Sequence, residues 1–140
     1  MPTMKKPEQT PAVKDLAGLF EKVSLGSAGV CLVTILAITE VSAPLDEPLQ
    51  LSVLFAFLAI PLFVSIYLAK DEILGLVGDT TKRARAAFHI FFTINYAALL
   101  LLVASLAMLA SHFSPRLGLA FFFLSGSSVA LPAFLRRLAK

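Results

Sequence analysis

Residues 88–113 read FHIFFTINYAALLLLVASLAMLASHF. No Lys, Arg, Asp or Glu interrupts the stretch, although His89, Thr93, Asn95 and Tyr96 lie within it. A helix needs about 20 apolar residues to cross the hydrocarbon of a bilayer, and this stretch exceeds that. A surface helix of a soluble protein would instead show one wide polar face.

Three further runs of this kind flank it. With their boundaries, the expected membrane spans are 23–43, 49–69, 86–111 and 117–135. The linkers PLDEP and HFSPR are short and contain proline, as in tight connections between neighbouring helices. Of the 140 residues, 58% are hydrophobic and 15% charged. A soluble domain carries about a quarter charged residues, so this chain has too few to cover an apolar core in water. The expected fold is all-α: a polytopic membrane protein with four transmembrane helices in an antiparallel bundle. Residues 11–140 form that single domain, and residues 1–10, without pattern, are expected to be disordered.

The cations set the expected threading. Lys5, Lys6, Lys14 and Lys22 precede the first run, and Lys70, Lys82, Arg83 and Arg85 lie between the second and third. Arg136, Arg137 and Lys140 follow the fourth, which leaves only Arg116 of the twelve on the other side, with Asp46 and Glu47. By the positive-inside rule both termini are cytoplasmic in a cell membrane. A cleaved secretory signal is the competing reading of the first run, with VSA before Pro44. Proline directly after the cut and the long polar lead argue against it.

Thr10 and Pro11 suit the start of a helix. Val13, Leu16, Ala17, Phe20 and Val23 follow at helical spacing. This segment is expected to be a short amphipathic helix on the inner surface, or else a plain extension of the first span. In the 70–86 connection, Gly78 can close one helix, and Asp79 or Thr80 can open the next. Lys70, Lys82, Arg83 and Arg85 there are candidate contacts for anionic lipid.

Polar groups inside the runs are the remaining candidates. On a wheel of about 100° per residue, His89, Tyr96, Ala97, Ala104, Ala107 and Ser111 share a small, semi-polar face with Thr93. Small residues let membrane helices approach, so this face is expected to pack inside the subunit. Asn95 lies about 200° away, among bulky residues. An unpaired amide in hydrocarbon is costly, so its partner is expected either in another subunit or, if the bundle covers both faces, within the same chain. Pro61, which frees a carbonyl near Phe57, and Gly126, Ser127 and Ser128 are candidate midplane positions. Glu40, at the outer end, is expected to meet His112 and Arg116 as an ionisable cluster.

Catalytic motifs are lacking: there is neither HExxH nor GxSxG. His89 and His112 fall on opposite sides, and the lone Cys31 excludes an internal disulfide. No enzyme activity, metal or cofactor is expected, and without a basic patch interleaved with aromatics, no nucleic acid. The expected partners are the lipid bilayer and either further copies of the chain or another membrane protein. The expected function is a homo-oligomer that forms or regulates a passage for ions or small solutes. The second expectation is a non-catalytic accessory or assembly subunit of a larger membrane complex.

Overall fold

The structure is a computed structural model that describes residues 11–40 and 44–138, without the side chains of 12–14, 126 and 128–138. Four helices make up these residues: α1 (Pro11–Thr39), α2 (Glu47–Gly75), α3 (Lys82–Phe113) and α4 (Pro115–Leu138). Three segments are long and apolar enough to cross a membrane: Asp15–Thr39, Glu47–Gly75 and Lys82–Phe113. The expected disorder of residues 1–10, the cap at Thr10 and the end of the first run at 41–43 lie outside the described residues.

The helix ends follow from local chemistry. Asp46 caps α2 by accepting the Leu49 N–H at 3.3 Å, and Pro48 in the first turn has no N–H to satisfy. Gly78, at φ 96°, turns the chain after α2 in the left-handed region that favours glycine. The cap of α3 is Thr81 rather than the expected Asp79 or Thr80: its hydroxyl accepts from the Ala84 N–H at 3.2 Å. Asp79 instead holds the Thr81 N–H at 2.8 Å. Ser114 alone joins α3 to α4; its N–H donates back to Ala110, and its carbonyl accepts from Leu117 and Gly118. Residues 11–22 continue into the first apolar run without a break, so the separate amphipathic helix is replaced by the plain extension.

Packing joins each helix to the next: α1 to α2, α2 to α3 and α3 to α4. No comparable contact closes the row between α1 and α4 among the described residues. Buried positions recur every seven residues. They are Ser24, Cys31 and Ile38 on α1, then Leu49, Ala56, Phe63 and Lys70 with Ser52, Ala59 and Ile66 on α2. On α3 they are Ala84, Phe91, Ala98 and Ser105. This is the spacing of helices in slow left-handed winding. Many of these side chains are small, whereas Leu32, Val33, Leu36, Phe57, Leu68 and Ile90 stand exposed. Apolar surface turned outward and small residues turned inward is the arrangement of helices packed in lipid.

Candidate functional site

The two ends of the helix row carry ionic contacts, and neither matches the sequence expectation. At one end His112 Nδ1 lies 2.8 Å from Asp46 Oδ2. An ionised carboxylate only accepts, so the ring nitrogen donates. This bond holds the Asp46 carboxyl below its ordinary pKa of 3.8, and the Leu49 N–H adds to the effect. Glu40 pairs with neither His112 nor Arg116, and no described ion pair includes it. The reason is the packing order. The end of α3 lies beside the start of α2, where Asp46 is the cap, whereas Glu40 follows α1, whose neighbour is α2.

At the other end Lys70 is drawn inward. Its Nζ lies 3.6 Å from Glu21 Oε2 of α1 and 3.9 Å from Asp71, and 4.0 Å from the centre of the Tyr67 ring. Its side chain is only 9% exposed, against 47% for Glu21. Lys70 occupies the buried seven-residue seam of α2, so it serves as a tie to α1 and not as the expected lipid contact. Lys82, Arg83 and Arg85 are on the surface, as a lipid contact requires. Beside this tie, Phe20 of α1 meets Phe91 and Phe92 edge-on, with ring centroids 5.3 and 6.3 Å apart.

Sequence reasoning missed the polar contact in the α2–α3 seam, near the start of α2 and toward the end of α3. Ser52 Oγ donates to the Ser105 carbonyl at 2.8 Å, and Ser105 Oγ donates to the Ser52 carbonyl at 2.9 Å. Both residues are fully buried. The available signal was each serine's position seven residues from a small residue on the same seam, Ala59 for Ser52 and Ala98 for Ser105.

The faces of α3 are used differently from the expectation. Its N-terminal half packs through Phe91 and Ala98, on the Asn95 side, while His89, Thr93, Tyr96 and Ala97 are exposed. The Thr93 hydroxyl donates to the His89 carbonyl of its own helix at 2.7 Å. The small face is covered only further along, where Ala107 and Ser111 receive Gly118 of α4. Size alone misjudged the N-terminal half, because Phe20 offers an aromatic partner to Phe91, which turns into the packing.

Every fully buried side-chain nitrogen and oxygen among the described residues has a hydrogen-bond partner. Asn95 differs: it is half-buried, near the middle of α3, and its amide makes no hydrogen bond to any described residue. One turn beyond the Phe20–Phe91 contact, α1 presents Ser24, but its hydroxyl is already given to the Phe20 carbonyl. Among the other midplane candidates, Pro61 is exposed within an unbroken α2, and its carbonyl accepts from Ser65 at 2.8 Å. Ser127 donates to the Phe123 carbonyl at 2.7 Å, and the side-chain positions of Gly126 and Ser128 lie outside the described residues. No protein family, curated protein or solved structure matches the chain.

Proposed function

We propose that this protein is a small, non-catalytic integral membrane protein that assembles with copies of itself, and that the assembly forms or regulates a passage for ions or small solutes. In this reading the fold is an antiparallel bundle of four membrane helices in the cell membrane, with both termini cytoplasmic. The 24 residues of α4 make a helix about 36 Å long, enough for a fourth span. The distribution of cations, with Arg116 alone on the outer side, supports that threading.

Asn95 carries the proposal. Its amide is a half-buried polar group of the apolar stretch that the subunit leaves without a bond, as it leaves the exposed His89 ring and Tyr96 hydroxyl, and hydrocarbon supplies no partner. A second copy can supply one, and symmetry repeats the bond around a ring. The subunit's own seam is filled by Cys31, Ala56, Ala59, Phe63, Ile66, Phe91 and Ala98, so a passage runs between copies. The open row of helices favours the second reading, an accessory subunit, because α1 and α4 keep free flanks for a larger partner.

The test is the size of the purified protein in mild detergent, for the parent and Asn95→Leu, followed by flux through vesicles containing each. The proposal expects a stable oligomer of the parent, a smaller species for the variant, and reduced flux. A parent that stays monomeric and co-purifies with a larger complex would favour the accessory role. An Asn95→Leu variant that assembles fully would remove the argument.

A further inference from the structure

The contact between α3 and α4 is close at one point and open beyond it. At Gly118 an added Cβ would stand 2.6 Å from Ser111 Cβ, so the helices touch there. Further along, Ala104 and Met108 of α3 and Leu119 and Phe122 of α4 line a gap between the helices. The result is a cleft of about 400 Å³ whose lining includes Ala104, Ala107, Met108, Gly118, Leu119 and Phe122. Its volume falls in the range of ligand sites, about 300–1,000 Å³.

The lining selects the chemistry of an occupant. The hydroxyl in the cleft, on Ser111, is spent on the Met108 carbonyl at 2.8 Å. The walls therefore offer no free donor, and they suit hydrocarbon. From Ala104 to Pro115 at the mouth is about 16 Å at 1.5 Å per residue, half of the ~30 Å hydrocarbon thickness. The cleft is thus one leaflet deep. At the mouth, next to Pro115, Arg116 is exposed and joins no ion pair among the described residues. A guanidinium binds phosphate well, through paired N–H donors.

We infer that the α3–α4 cleft is a phospholipid site: one acyl chain lies along Ala104, Met108 and Phe122, and the phosphate meets Arg116. This site is independent of the assembly proposed above, since it lies on the far side of α3 from Asn95. It also differs in location from the inner cations Lys82, Arg83 and Arg85. The occupant needs both a chain of leaflet length and an anionic group at the mouth, which excludes a free sterol or a diacylglycerol as the preferred ligand.

The test uses the full-length protein in nanodiscs with a phosphatidylglycerol that carries a photoactivatable diazirine midway along one chain. Mass spectrometry of the labelled peptides should place the label on Ala104–Met108 and Leu119–Phe122, above the level on the open face of α1 at Leu32, Val33 and Leu36. Unlabelled phosphatidylglycerol should compete, and diacylglycerol should compete less well. Arg116→Gln should weaken retention about fivefold, the factor one cation supplies at a lipid surface. Ala104→Phe should fill the gap and abolish cleft labelling; the competition on the parent protein does not depend on that variant folding. Equal labelling of α1 and the cleft, or diacylglycerol competing equally with no effect of Arg116→Gln, would overturn the assignment. Exclusion of the probe from the cleft in the oligomer alone would also overturn it, and would assign the cleft to a second copy.

Discussion

Gly118→Ala adds one methyl group at the closest approach of α3 and α4. The new Cβ would lie 2.6 Å from Ser111 Cβ, 2.8 Å from the Ala107 carbonyl oxygen and 3.0 Å from Ser111 Cα. Carbon atoms pack favourably at about 3.5–4.0 Å, so the helices must part by about 1 Å. Rotamers offer no relief, because two of the three atoms are backbone and the third is a Cβ. Overfilling of this kind costs about 1–3 kcal/mol. For a chain of this size each kcal/mol lowers the melting temperature by about 2–4 °C, so the expected loss is roughly 2–12 °C. Thermal unfolding followed by circular dichroism in nanodiscs measures it. Gly29→Ala is the control: nothing lies within 4 Å of its added Cβ, and no loss is expected. Ser111→Gly combined with Gly118→Ala removes the 2.6 Å clash but leaves the one on Ala107, so it should recover part of the loss. An alanine variant as stable as the parent, or a Gly29→Ala variant that loses as much, would refute the reasoning.

Other outcomes follow from the seam and the two ionic ends. Ser52→Ala and Ser105→Ala should each cost about 0.6 kcal/mol, at most about 1.7, by equilibrium unfolding in detergent. The two hydroxyls also lie 3.3 Å from each other and share one buried network, so the losses should couple by about 0.5 kcal/mol or more, and strictly additive losses would count against the paired contact. Glu21→Gln should destabilise more than Lys70→Met, because it strands the buried ammonium with only Asp71 and Tyr67, whereas a bereaved Glu21 is still half in water; the reverse order would count against the tie. Asp46, held low by His112, contributes stability that is present above its ordinary pKa of 3.8 and is lost as pH falls through the lower folded value. In His112→Ala the Asp46 titration, followed by carboxyl NMR, should move up towards 3.8, and an unchanged titration would show that the hydrogen bond is not its cause.

The apolar runs were legible because length and hydropathy mark a helix that prefers lipid, and three of them stand as helices of sufficient length. Which face of each helix turns inward was not legible from hydropathy, since lipid and interior are equally apolar. Size was the remaining signal, and it served unevenly. It found the approach of Ala107 and Ser111 to α4, and it failed at Phe91, whose inward position depends on Phe20 more than seventy residues away in sequence. The seven-residue recurrence through Ala84, Phe91, Ala98 and Ser105 mixes large, small and polar side chains, so no hydropathy window shows it. The ionic partners were misjudged for a related reason. Sharing a depth, as Glu40 and His112 do by sequence, does not say which helices are neighbours, and Asp46 lay on the nearer one.

Ser114 is the whole connection between α3 and α4, and this bears on how the chain is made. Threaded as proposed, the joint must cross the bilayer during synthesis. A single linking residue gives α4 no slack in which to wait on the far surface after α3 has entered. The two helices therefore insert together, as a preformed hairpin with its bend leading. The charge carried through is one guanidinium, Arg116, beside an imidazole that can travel neutral. Insertion scales place such a charge at about 2.5–3.5 kcal/mol at the helix centre, against about −0.3 to −0.6 for each Leu, Ile, Phe or Val that enters with it. Lengthening this bend with a charged linker should slow membrane entry of the fourth helix while leaving the first two untouched.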